Sequence, residues 1–200
     1  MTRRIPLMAI TAAGALALIV AASGYATTRI QATPLDTDAA MLTFHEKVEA
    51  YAALHRRLAP PPAAASAKDP LAKLLTREYL ASAIRKARPG ADQGEIFTPD
   101  VAAAFRWRLA DSIGEIDGEA FLLELNNGVP IERGLHPTVD ETYTMSTLFR
   151  LPADVRLGLP ALPAELDYRI AGHDLVLWDI YAGIVVDFVP NALSSRVYTE

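Results

Sequence analysis

Three aspartates, Asp174, Asp179 and Asp187, punctuate the run LPAELDYRIAGHDLVLWDIYAGIVVDFVP, which extends from Leu162 to Pro190. Carboxylates gathered on one small sheet can divide the roles of general acid and general base when their surroundings move their pKa values apart. Whether these three can do so depends on strand register. Gly172 and His173 separate two short runs of β-formers, Tyr168-Arg169-Ile170 and Leu175-Val176-Leu177, and a Gly beside a polar residue suits a two-residue hairpin loop. Ile170 then faces Leu175, and Tyr168 faces Leu177. With Ile180–Gly183 as the next connection, Leu177 is expected opposite Val186 and Leu175 opposite Phe188, which carries one apolar face across three strands. In that register Asp174 and Asp179 lie at strand ends, and Asp187 shares a row with Arg169 and Val176. Edge capping and an Arg169–Asp187 ion pair are therefore expected in place of acid–base chemistry. The same register sets Trp178 beside Val185. The second face of the sheet, with Trp178, Val185, Val176, Arg169 and Asp187, is thus the expected contact surface for a partner.

Other candidate residues are sparser. His45 and Glu49 stand four apart on a helical pattern, as metal ligands often do, but two ligands do not make a site and HExxH is absent, so they read as a solvated face. His173-Asp174 falls at the proposed turn, where both are ordinary turn residues. No GxSxG or related signature marks a serine nucleophile, and no Gly-rich phosphate loop occurs. Arg106-Trp107-Arg108 has the composition of a nucleic-acid contact, yet on a helix its members point in different directions. The chain has no cysteine, which excludes a lipoprotein anchor, disulfides, a thiol nucleophile and thiolate metal sites. No catalytic, cofactor-binding or metal-binding residue is assigned.

The elements that would position these residues follow from periodicity and punctuation. Met41, Phe44, Val48, Tyr51, His55 and Leu58 recur at threes and fours along a helix that Thr37 or Asp38 can cap, with Arg56 and Arg57 at its cation-favouring end. Pro60-Pro61-Pro62 and AAASAK form a linker. Asp69 and Pro70 open a second helix, with Leu71, Leu74 and Leu75 expected on its buried stripe and Pro89-Gly90 after its end. Thr98-Pro99-Asp100 opens a third, on which Val101, Phe105, Leu109, Ile113 and Ile116 share a face. Glu119 to Asn126 fits a short helix stopped at Asn127-Gly128, although FLLEL also fits a buried strand. A short strand is expected at Val129 to Arg133, an exposed loop at Gly134 to Thr144 and a short helix at Ala153 to Leu157.

The chain has 200 residues and a formal net charge of −5, which allows one domain of ordinary size and disfavours nucleic acid as a partner. Met1 to Ala26 has the layout of an export signal: Arg3-Arg4, an apolar core, then Gly24-Tyr25-Ala26. Cleavage after Ala26 is expected, which places the protein in the periplasm or outside the cell. The alternative is an inner-membrane anchor formed by residues 5–26, since a span needs about 20 apolar residues. Residues 27–37 then act as a linker, and 38–200 form a single domain with a helical part at 38–126 and a β-meander at 167–190.

The C-terminal pattern L-P-x-x-L-x-Y-R-x-x-x-x-D-L-V-L-x-D-x-x-A-x-x-V-V-D-F is carried by Leu162, Pro163, Leu166, Tyr168, Arg169, Asp174 to Leu177, Asp179, Ala182 and Val185 to Phe188. With ARPG at Ala87 to Gly90 and FTPDVAAAFR at Phe97 to Arg106, it resembles a group of uncharacterised exported bacterial proteins, a resemblance that implies no activity. The sheet segment alone is similar to the C-terminal part of the periplasmic nickel and cobalt homeostasis family, and no ligand residues carry over from it.

The expected fold is α+β, with N-terminal amphipathic helices packed on a small C-terminal antiparallel β-meander. The expected function is that of a non-enzymatic binding or accessory protein of the bacterial envelope. Its partner is expected to be another envelope protein or a second copy, with no cofactor and with membrane contact only through an uncleaved leader. The alternative is a hydrolase or metal-dependent enzyme with a site built from scattered Asp, Glu and His.

Overall fold

The structure, a computed structural model, describes residues 37–60, 69–114, 117–131, 136–143 and 147–193. The expected leader or anchor at 1–26 and the AAASAK stretch lie outside the described residues, as does all of the 27–37 linker except Thr37. Helix α1 spans Thr37–Leu58 and buries Ala40, Phe44, Val48, Tyr51, Ala52 and His55, the spacing its periodicity requires. Helix α2, Pro70–Ala87, starts as expected: the Asp69 carboxylate accepts a bond from the Leu71 amide at 2.9 Å, and Pro70 occupies the first turn. Its buried stripe does not fall where expected. Leu71, Leu74 and Leu75 are exposed, and Leu80, Ala81 and Ile84 are buried, because only the second half of the helix lies against the core.

Helix α3, Pro99–Ser112, buries Val101, Ala102, Ala104, Phe105 and Leu109. It ends at Ser112, before the expected Ile113, and Gly114 leaves helical geometry at φ +68°; the expected Ile116 lies outside the described residues. The ambiguous segment beyond it is helix α4, Gly118–Leu125. The Asp117 carboxylate accepts from the Glu119 and Ala120 amides, and Asn127 and Gly128 follow at φ 54° and 81°.

The chain closes on β1 (Phe149–Arg150), α5 (Ala153–Leu157), β2 (Leu166–Ala171), β3 (Asp174–Asp179) and β4 (Ile184–Val189), with the strands antiparallel in the order β1-β2-β3-β4. The protein is therefore α+β, with helices leading and an antiparallel sheet ending the chain. Between β2 and β3 the register is the expected one, Tyr168 opposite Leu177 and Ile170 opposite Leu175.

Between β3 and β4 it is not. Trp178 pairs with Val185 as expected, but Leu177 then meets Asp187, Val176 meets Phe188 and Leu175 meets Val189. One extra residue on β4 forms a bulge there, and a bulge turns two successive side chains to one side of the sheet. Val186 thereby joins the core under the helices, and Asp187 reaches toward residues 94–97 on that side. Asp187 is thus not in a row with Arg169.

The main core lies between the helices and the first face of the sheet. Phe44, Phe97 and Phe105 meet there with ring centroids 4.7 to 5.6 Å apart, and Phe105 continues to Tyr168. The second face carries Val176, Trp178, Val185 and Phe188, covered by Leu148, Val139, Tyr143 and Ile180. The loop expected to be exposed at 134–144 is instead applied to this sheet over its described part. Pro137 and Asp140 are buried, Asp140 and Tyr143 donate to the Val185 and Gly183 carbonyls, and Thr142 bridges to Ile184. Val129–Ile131 form no strand, and residues 132–133 lie outside the described ones. No described helix is long and apolar enough to cross a membrane.

Candidate functional site

The carboxylate at the end of β3 gathers side chains from far along the chain. Asp179 Oδ2 stands 2.6 Å from His55 Nδ1 and accepts the Tyr51 hydroxyl at 2.9 Å, while Oδ1 accepts the Tyr181 and Ala182 amides at 2.9 and 2.7 Å. The α1 periodicity aims Tyr51 and His55, four apart, at the sheet, and Asp179 is held at the strand end by the turn it caps. All three side chains are buried. An Nδ1–carboxylate contact is also how a catalytic His is oriented. Here the hydroxyl beside the pair is the Tyr51 phenol, which donates to the same carboxylate. Burial, and secondarily the Asp179 charge, hold this phenol far above the ordinary tyrosine range. Asp179 already has four donors, so its geometry is that of a cross-brace between α1 and the sheet.

Asp187 is similarly filled. Its carboxylate accepts the amides of Gly94, Ile96, Phe97 and Phe188 at 2.7 to 2.9 Å, with no exposed surface. Burial raises its pKa against the opposing pull of those amides. The expected Arg169–Asp187 pair is absent for the reason given by the bulge. Arg169 pairs instead with Asp167 at 2.7 Å and lies over the Trp178 ring, 5.1 Å from its centroid. Of the expected partner surface, Trp178, Val185, Val176 and Arg169 are buried beneath residues of the chain itself, and Asp187 faces the other way.

Asp174, at the start of β3, meets His136 Nδ1 at 2.7 Å and accepts the Asn191 amide at 2.8 Å; its neighbour His173 reaches Glu119 at 3.0 Å. Burial lifts the Asp174 pKa, and the His136 contact opposes this. These pairs clamp the β2–β3 turn to α4 and to the 136–143 segment. Arg88 makes a parallel brace, donating to Asp140, Glu95 and the Val186 carbonyl and lying over the Tyr51 ring.

The remaining candidates stay apart. His45 is exposed and Glu49 half-buried on the outer side of α1, and Arg106 donates to the Pro190 carbonyl while Trp107 is exposed. Among the described residues no group of three His, Cys, Asp or Glu is placed to hold a metal ion.

The features that sequence reasoning missed lie on α2. Leu71, Leu75 and Tyr79, spaced by fours, form an outward row in which each is 61% exposed. On another side of the same helix, Pro70, Lys73, Leu74, Thr76, Arg77 and Leu80 line a groove of about 530 Å3 with Ile180 and Tyr181. The signal was present as an excess of leucines, more than the helix can bury on one stripe. Compared with known proteins, the chain matches no family model, no curated protein and no solved structure.

Proposed function

We propose that the protein is a non-enzymatic binding protein of the bacterial envelope that docks another envelope protein along α2. The observation that carries this reading is the row Leu71, Leu75 and Tyr79, apolar, outward and left open by the chain's own core. Apolar residues in i, i+4 register are the pattern by which a helix presents anchors to a partner. Charge selects the partner's character. Lys73, Arg77, Arg85 and Lys86 outnumber the single Glu78 on α2, so although Lys73 and Arg77 project from another side than the row, the field around the helix favours the approach of an acidic amphipathic segment over that of a second α2. The export-like layout of residues 1–26 supports the compartment.

The hydrolase or metal-dependent alternative draws no support from the carboxylates. Asp179 and Asp187 have their oxygens occupied by donors of the chain, and Asp174 is engaged by His136 and Asn191.

The test is a photo-crosslinking residue at position 75 of the full chain in its native envelope, with position 124 of exposed Glu124 as control. A heavier adduct at 75 alone, lost on combining Leu71→Glu with Tyr79→Glu, is expected. An adduct of twice the chain mass assigns the row to self-association, and no adduct overturns the docking reading.

A further inference from the structure

The groove between α2 and the β3–β4 turn has an unusual lining, with apolar walls from Leu74, Leu80, Ile180 and Tyr181 and two cations, Lys73 and Arg77. Among the described residues neither cation pairs with a carboxylate. The one hydrogen bond Arg77 makes to a described residue is a long one, 3.4 Å, to the Ile180 carbonyl, so most of its five N–H donors have no partner among the described residues. Gly183 makes room for it. Gly183 turns at φ +69° and has no side chain, and a Cβ there would stand 2.9 Å from Arg77 Nε, so the arginine occupies the space over the turn.

We infer that this groove binds a long-chain carboxylate, with the acyl chain on Leu74, Leu80, Ile180 and Tyr181 and the carboxylate between Lys73 and Arg77. An apolar groove of this volume falls within the range of small-molecule sites. A cation that lacks a counter-charge beside it recognises an anionic head, and a guanidinium suits a carboxylate in fork geometry. The occupant is an acyl chain and not a peptide because a peptide brings amide donors and carbonyls that need partners. Besides the two cations, the side chains of the lining offer the Thr76 hydroxyl and the Tyr181 phenol, so most peptide groups would be desolvated without a bond. The inference concerns a different side of α2 from the docking row and does not rest on it.

Calorimetric titration of the full chain with dodecanoate below its micelle concentration tests it. One-to-one binding is expected, tightening up to about fourfold for each methylene between decanoate and dodecanoate. Dodecanol, with the same tail and no charge, should bind at least about tenfold more weakly. Lys73→Gln and Arg77→Gln should each weaken dodecanoate and leave dodecanol unchanged, while Tyr181→Ser weakens both. Should Arg77→Gln fail to fold, Lys73→Gln and the alcohol carry the test. Equal binding of acid and alcohol, dodecanoate affinity indifferent to Lys73→Gln, or tighter binding of an acidic peptide than of dodecanoate would overturn the inference.

Discussion

His55 Nδ1 and Asp179 Oδ2 stand 2.6 Å apart across 124 positions of sequence, and both side chains are buried. This contact, with the Tyr51 hydroxyl on the same oxygen, ties the first helix to the end of the third strand. Asp179→Ala would leave the Tyr51 phenol, the His55 ring and two turn amides without their acceptor. A loss of about 3–5 kcal/mol in unfolding free energy is expected by urea denaturation. Tyr51→Phe, which removes one donor and keeps the ring, should cost only about 1 kcal/mol. Equal costs for the two variants would mean that the carboxylate is not the hub.

Asp187 receives four backbone amides, three of them from the stretch between α2 and α3. Asp187→Ala should cost about 3 kcal/mol or more, since the amides of Ile96 and Phe97 are buried with no alternative acceptor provided. Because Arg169 lies on the opposite face with Asp167, a double-mutant cycle between Arg169→Gln and Asp187→Asn should return a coupling within about 0.5 kcal/mol of zero. A larger coupling would restore the row expected without the bulge.

Burial raises the Asp174 pKa in the folded state. The folded protein therefore holds that proton more firmly than the unfolded chain does. The stabilisation attached to the protonated carboxyl is complete below the unfolded value of about 4 and is lost as pH rises through the higher folded value. Asp174→Asn stays neutral throughout, so the stability of the parent relative to this variant should fall as pH rises from about 4 through the raised folded value. Thermal unfolding of both proteins across that range checks the sign, and a difference that grows with pH would reverse it.

Gly183 adopts φ +69° under Arg77. Gly183→Ala should lower stability by about 1 kcal/mol through the backbone conformation alone. The guanidinium is the end of a long side chain and can swing aside, so Arg77→Ala should recover little of that loss. Denaturation of the single and double variants measures both quantities.

Much of the fold was legible from local chemistry. The cap at Asp69, the proline starts, the Asn127-Gly128 stop and the two-residue turn at Gly172-His173 are decided by residues adjacent in sequence, and they placed the α2 start, the end of α4 and the β2–β3 register, whereas the Asp117 cap went unread. The β4 bulge was not legible, because Val185-Val186-Asp187-Phe188 accepts either alternation and the choice is made by amides near residue 95 that receive Asp187. His55 was counted among apolar positions because its partner lies on a distant strand. The leucines of α2 were misplaced because periodicity reports which residues share a stripe, not how far along a helix the core extends.

The segment from Asp140 to Tyr143 hydrogen-bonds along the outer side of β4, and the opposite margin of the sheet is a strand of two residues followed at once by Leu151 and Pro152. Each flank of the sheet thus lacks the long, bare ladder of amides and carbonyls onto which another chain can zip. This removes a route to templated aggregation during folding. It also bears on association: over the described residues the sheet offers side chains, and little open backbone, to whatever approaches its flanks.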